Sequence, residues 1–238
     1  MMRRMDPVLA IAMWALLFLG THLVMSSRGL RPRLVALFGA DRFAGVYSLV
    51  ALATFIPLCV VFASHKHSGA MLWDLRGIPV LRYLVWALML FAFIMLIASF
   101  ITPNPGAMNA IGAAQSASGP RGVLKISRHP GFVAFSTFGV AHLLMNGFVG
   151  DVIFFGSFPA LSLIGGRHQD SRKQSQLGES YRSLEASTSF FPGLAMLTGR
   201  QHWTAGDTPW SAIAIGLALT ALILWLHPIL FGGNPLGM

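Results

Sequence analysis

Residues 127–147 read SRHPGFVAFSTFGVAHLLMNG. Arg128 and His129 stand directly before Pro130, and the run that follows carries one ionisable side chain, His142. Pro130 suits the first turn of a helix, where its missing N–H has no partner to lose. The uncharged run from Pro130 to Gly150 is long enough to cross roughly 30 Å of hydrocarbon. Ionisable side chains at membrane depth are costly and therefore mark a functional site by default. The reading of the whole chain follows from this helix and its charged mouth.

Similar runs lie on either side. Pro7 to Met25 is uncharged and carries His22 near its far end. Arg3 and Arg4 before it resemble the start of a signal peptide, but no small-x-small cleavage site follows, so a retained first span is expected. Phe43 to Ser64 forms a second run, with Pro57 inside it, and Tyr83 to Thr102 a third that stops at Pro103-Asn104-Pro105-Gly106. Val152 to Gly166 is a short fifth run and Trp210 to Phe231 the last. Asn146-Gly147 and Gly150-Asp151 predict a tight hairpin between the fourth and fifth. The segment 26–42 reads as a surface loop or interfacial helix, 107–127 as a short helix on the bundle, and 167–201 as a long polar loop. The expected fold is all-α, a polytopic membrane bundle of about six transmembrane helices. It forms one domain over 1–238, with spans near 7–25, 43–64, 83–102, 130–150, 152–166 and 210–231.

Composition agrees. Of 238 residues, 55% are hydrophobic and 11% charged, with a mean hydropathy of +0.65; soluble domains carry about 25% charged residues. The single cysteine, Cys59, excludes an intramolecular disulfide. The net charge of +9 is spread over short loops rather than gathered in one patch, which argues against nucleic acid and for anionic headgroups. Loops after the first, third and fifth spans hold twelve Lys and Arg against five on the other side. That predicts a cytoplasmic Arg-His-Pro loop; the expected location is a bacterial inner membrane, as a multi-pass chain.

The eight histidines divide by environment. His65, His67 and His202 lie in polar loops and read as solvated, His227 as a headgroup neighbour, and His168 as a loop residue beside Asp170. His22 and His142 each sit in a run without nearby charge. Two readings stay open for them: a neutral imidazole hydrogen-bonded across the bundle, or a metal or haem ligand. His129 and His142 are thirteen residues apart, about 220° around a helix, so one straight helix cannot aim both at one centre. His142 shares its face with Phe135, Phe138, Gly139, Met145 and Asn146, and the aromatics with the glycine would let a flat macrocycle approach the backbone. No zinc spacing, Gly-x-Ser-x-Gly, P-loop or dinucleotide fingerprint occurs.

Several of these pieces together resemble the NnrU family, which includes the plant zeta-carotene isomerase. They are Thr21-His22, Gly45-Val46-Tyr47-Ser48, Ser127-Arg128-His129-Pro130 and Ala141-His142-Leu143-Leu144-Met145-Asn146-Gly147. Asp170-x-Arg172-Lys173, Gly178-x-x-Tyr181 and Thr188-Ser189-Phe190-Phe191-Pro192 complete the pattern. The resemblance implies haem b held by His22 and His142, with one ligand leaving on reduction, and cis–trans isomerisation of a polyene or a nitric-oxide role tied to denitrification. Arg128 and His129 would then meet haem propionates or an anionic substrate group, Arg by its bidentate fork. Depth favours a different pairing: His22 lies about 5 Å and His142 about 18 Å from the cytoplasmic ends of their spans, which makes His129 the alternative ligand.

The Arg-His-Pro and Phe-Phe-Pro pieces also resemble membrane isoprenylcysteine and phospholipid methyltransferases, in which Arg128 and His129 would bind S-adenosylmethionine. Those enzymes favour a glutamate pair where Asp170, Arg172 and Lys173 stand here. A third reading is a non-enzymatic haem or nitric-oxide sensor, or an assembly factor.

Overall fold

The computed structural model describes residues 5–104 and 119–235. Helix α1 (Pro7–Ser26) begins at Asp6, whose side chain accepts from the Leu9 N–H at 3.0 Å, with Pro7 as the first helical residue. An Asp cap of this kind contributes about 1 kcal/mol. Then follow α2 (Leu30–Phe38), α3 (Ala40–Ser64), α4 (Pro79–Ile101), α5 (Pro130–Met145) and α6 (Val149–Leu177). The short α7 (Glu179–Ser187) and α8 (Leu194–Leu197) precede α9 (Trp210–Phe231). Among the described residues the only β-pairing is an isolated antiparallel bridge between Met71 and Phe148.

Among the described residues five helices, α1, α3, α4, α6 and α9, are long and apolar enough to cross a membrane. The protein is an all-α polytopic membrane bundle. Many of their large apolar side chains point outward: Leu16 is 69% exposed, Leu49 68% and Phe100 79%. That is unfavourable in water and ordinary against lipid tails.

Two expected spans change their lengths. The fourth ends at Met145, a helix of 16 residues, and the fifth runs for 29 residues to Leu177. Past Gly166 the sequence turns polar, which reads as loop. The helix persists because Asp170 and Lys173, three residues apart on one face, are 7% and 3% exposed. The supposed loop 167–201 is thus largely helical, in α6, α7 and α8. The segment 26–42 contains a true helix, α2, with Arg31 stacked 4.9 Å over the Phe43 ring. Of the short helix expected within 107–127, residues 107–118 lie outside the described residues, and Gly122–Lys125 forms a 3-10 turn.

The chain divides into two compact units, residues 1–85 with 139–168, and 86–138 with 169–238. In the first, α1 and α3 run antiparallel, with Phe18 against Phe55 and His22 against Tyr47. Helix α6 runs parallel to α1: Ile11 lies beside Gly150 and Ser26 beside His168. Phe62 stacks on Phe154 with ring centres 3.9 Å apart. Close helix packing in lipid depends on small residues at the contact, and Gly139 supplies one. A Cβ there would lie 2.6 Å from the Phe155 carbonyl oxygen and 2.7 Å from Pro159 Cδ.

The second unit centres on Met95 and Ala98 of α4, Val133 and Ala134 of α5, and Ala212 of α9. Gly216 of α9 admits the Ile94 side chain and backbone of α4. Before α9, the buried Asp207 accepts from the Lys125 ammonium at 2.7 Å, the Gly122 N–H at 3.0 Å and the Thr204 hydroxyl at 2.6 Å. Burial opposes its ionisation, but these donors hold its carboxyl below the usual range.

Candidate functional site

Within the second unit, Ser127-Arg128-His129 forms a buried polar centre with the last turns of α6 and with α7. The Ser127 hydroxyl donates to the Phe190 carbonyl at 2.7 Å and accepts from the His129 N–H at 3.1 Å. The Arg128 N–H donates to the Ser189 carbonyl, and Asn104 donates to the Arg128 carbonyl. The entry to α5 is therefore fixed by backbone bonds before its side chains are counted.

The side chains converge on Asp170. Arg128 donates from Nε (3.1 Å) and Nη2 (2.7 Å), His129 Nε2 lies 2.6 Å away, and the Tyr181 hydroxyl donates at 2.6 Å. Glu185 takes a longer contact from Arg128 at 3.4 Å and a hydrogen bond from Gln174. His129 is 3% exposed, with its ring between Phe132 and Phe190. Burial works against the Arg128 charge, but the Asp170 carboxylate beside it raises its pKa. Burial first, then the bond to Asp170, pushes the Tyr181 phenol well above its ordinary range. A buried carboxylate is stable only when fully paired, and here Arg128, His129 and Tyr181 pair it. The arrangement can orient an imidazole and hold a proton between His129 and Asp170. Among the described residues Arg128 Nη1 carries none of these bonds.

His22 and His142 lie in the first unit. The His22 ring packs against Phe18 (5.1 Å) and edge-on to Tyr47 (4.7 Å), whose hydroxyl donates to the His22 carbonyl at 3.4 Å. No described residue hydrogen-bonds to the His22 ring. The His142 ring lies on Phe155 with centres 4.6 Å apart. Ring contacts lead from His22 to His142 through Phe18, Phe55, Phe158, Phe154 and Phe155. The close approach at Gly139, expected to admit a macrocycle, is taken by α6 itself.

The end of α5 is held by a strap, residues 65–73, which is exposed over most of its length, as expected of a polar loop. Trp73 Nε1 donates to the Leu143 carbonyl at 2.9 Å, and Asn146 donates to the His142 carbonyl at 2.8 Å. These satisfy carbonyls that a helix end leaves without partners. The Leu72 N–H donates to Gly147, while Val149 and Gly150 donate to Ala70 and Ser68. His67 is on the surface as expected, about half exposed, yet pairs through Nδ1 with the wholly buried Asp151 at 2.8 Å, and its own N–H donates to the same carboxylate. An anion suits that position in the first turn of α6. His168, read as a loop residue, is on α6 with Nδ1 3.4 Å from the Ser26 hydroxyl.

The motif fragments thus meet in two sets. Ser127 to Pro130 gathers Asp170, Tyr181 and Phe190, and Ala141 to Gly147 gathers Trp73 and its strap. Tyr181, Asp151 and Trp73 were not singled out as site residues from sequence. Gly178-x-x-Tyr181 carried the only signal for the first.

A family model described as NnrU protein matches residues 9–235. The chain is 27% identical to a protein of Arabidopsis thaliana named 15-cis-zeta-carotene isomerase, chloroplastic, over 96% of this chain and 62% of the relative. It is 29% identical to the protein of the same name from Zea mays, over 79% of this chain and 50% of the relative. The chain thus spans about half to three-fifths of the length of these curated relatives. No solved structure matches.

Proposed function

The chain belongs to the NnrU family, and from that membership we propose that it binds haem b in the membrane through His22 and His142 and isomerises a cis double bond of a linear polyene. The observation that carries this reading is the similarity across 96% of the chain to a 15-cis-zeta-carotene isomerase. Each imidazole is a suitable donor, but the path of ring contacts from one to the other passes through five phenylalanines and α6 fills the approach at Gly139, so a haem held by both requires the first unit to rearrange. Among the described residues no group of three or more His, Cys, Asp or Glu could hold a bare ion. A haem brings its own equatorial nitrogens and asks for one or two imidazoles. His22, in an apolar span and with no hydrogen-bond partner for its ring among the described residues, offers such a nitrogen.

When bound, the haem would supply a redox-active iron able to perturb a conjugated double bond. The chain's own part is to place and shield. Tyr47 fixes the turn of α1 that carries His22, while Asn146 and Trp73 fix the end of α5 that carries His142. The phenylalanines around both imidazoles exclude water and suit a hydrocarbon. Arg128 Nη1 would meet a propionate or other anion, and Asp170 would hold Arg128 and His129 in place for it. We assign the Arg-His-Pro loop to the cytoplasmic side of a bacterial inner membrane, from the distribution of bases.

The test is an optical spectrum of the full chain, oxidised and reduced, purified from cells supplied with haem. The wild type is expected to show a Soret band that His22→Ala and His142→Ala abolish or shift and His129→Ala retains. Absence of the band in wild type overturns haem binding. Loss in His129→Ala alone reassigns the ligand, since Asp170 on Nε2 would leave Nδ1 to face a metal. Saturable S-adenosylmethionine binding without haem would favour a methyltransferase.

A further inference from the structure

Helices α1 and α3 are antiparallel spans of the first unit, so residues 27–39 between them turn at one boundary of the membrane. Arginines gather at that end. Arg28 precedes α2, Arg31 and Arg33 lie on it, and Arg42 stands in the first turn of α3. The Arg31 guanidinium rests 4.9 Å over the ring of Phe43, the residue after Arg42. Arg167 of α6 joins the same end, next to His168, whose ring meets Ser26 at the end of α1.

Charge balance is missing here. Among the described residues Arg28, Arg31, Arg33, Arg42 and Arg167 pair with no carboxylate, whereas Arg76 pairs with Asp74, Arg128 with Asp170 and Arg182 with Glu179. Asp41 is the only acid in residues 26–48, and it pairs with none of them. Like charges gathered without counter-charge repel one another, so this end is complementary to an anion that the chain does not supply. The helix itself adds a separate observation. No residue of α2 is buried, and Leu37 and Phe38 are exposed close to these bases. A helix carrying arginines and exposed apolar side chains suits the interface plane, where the apolar groups enter the acyl boundary and the bases stay at the headgroups.

We propose that α2 and the arginines around it form a binding surface for anionic phospholipids, the guanidinium groups holding the phosphates and Leu37 and Phe38 entering the acyl region beside them. The planar fork of arginine matches phosphate oxygens two at a time. A zwitterionic headgroup carries its own ammonium and so offers the cluster less net charge. A soluble phosphate satisfies the arginines but leaves Leu37 and Phe38 uncovered. This surface needs neither haem nor polyene.

The experiment titrates the full-length protein, in a neutral detergent, with phosphatidylglycerol and separately with phosphatidylcholine, and counts retained lipid by native mass spectrometry. Wild type is expected to retain phosphatidylglycerol in preference, and to lose that preference as salt is raised. Arg33→Gln with Arg42→Gln is expected to weaken retention by roughly tenfold or more, as each base near an anionic surface contributes about a fivefold factor. Arg76→Gln with Arg182→Gln removes the same charge from arginines that already hold acids, and is expected to leave retention unchanged. Arg33→Lys with Arg42→Lys keeps the charge and is expected to restore most of the retention. Should the glutamine pair not fold, the lipid preference of wild type and its salt dependence still decide the matter. Equal retention of the two lipids, or equal effects of the two glutamine pairs, overturns the proposal. So does displacement of phosphatidylglycerol by inorganic phosphate at matched concentration, which would assign the arginines to a free anion.

Discussion

Asp170→Ala is expected to destabilise the protein by about 3–5 kcal/mol, the usual cost of removing one partner from a buried charge cluster. The substitution strands three groups at once. Arg128 keeps only the 3.4 Å contact with Glu185, and His129 Nε2 and the Tyr181 hydroxyl lose their acceptor in a space closed to water. Asp170→Asn should cost less, since an amide oxygen still accepts from one donor. Tyr181→Phe should cost less again, about 1 kcal/mol or a little more, because it removes a single hydrogen bond and leaves the ion pair intact. The order Ala, Asn, Phe in apparent melting temperature in detergent is the check. Equal melting temperatures for Asp170→Ala and wild type would mean that the cluster is solvated.

The sequence announced Arg128 and His129 by their place beside an apolar run, and it assigned them to an external ligand. It did not announce that their partner is Asp170, forty-odd residues on, because polarity after Gly166 reads as loop. Hydrophobic runs report burial against lipid. They are silent about a helix that continues as a polar face turned inward. The span positions were legible for the complementary reason: α1, α3, α4 and α9 are apolar all round, and length alone identifies them. The partners of His67 and Trp73, Asp151 and the Leu143 carbonyl, were not legible, since they lie 84 and 70 residues away and are brought together only by the fold. His22 and His142 were legible as ionisable groups in apolar runs. What touches their rings, Tyr47 for one and Phe155 for the other, was not.

Gly147→Ala is expected to detach the strap from the end of α5. An added Cβ would stand 2.0 Å from the Trp73 carbonyl oxygen and 2.9 Å from its carbonyl carbon and Cδ1. Backbone cannot yield to that as a side-chain tip can, so Trp73 and Leu72 must move. The bonds from Trp73 to Leu143 and from Leu72 to Gly147 then weaken together, at about 1 kcal/mol each, with about 1–3 kcal/mol of overpacking besides. Gly45→Ala is the matched control, since its Cβ would meet nothing within 4 Å, and it should be neutral or slightly stabilising. Because Trp73 bonds to the carbonyl next to His142, Gly147→Ala should also blue-shift or broaden tryptophan emission as the indole leaves its acceptor. Equal stability of the two variants would show that the strap is loosely held.

The polyene isomerase reading depends on one reaction. Purified full-length protein in nanodiscs, supplied with haem and 15-cis-zeta-carotene, is assayed by chromatographic separation of the cis and trans isomers after reduction with dithionite. Reduced wild type is expected to convert the 15-cis isomer, oxidised wild type not to, and His142→Ala to lose the conversion in either state. Identical isomer ratios with reduced wild type, with His142→Ala and with empty nanodiscs would contradict it.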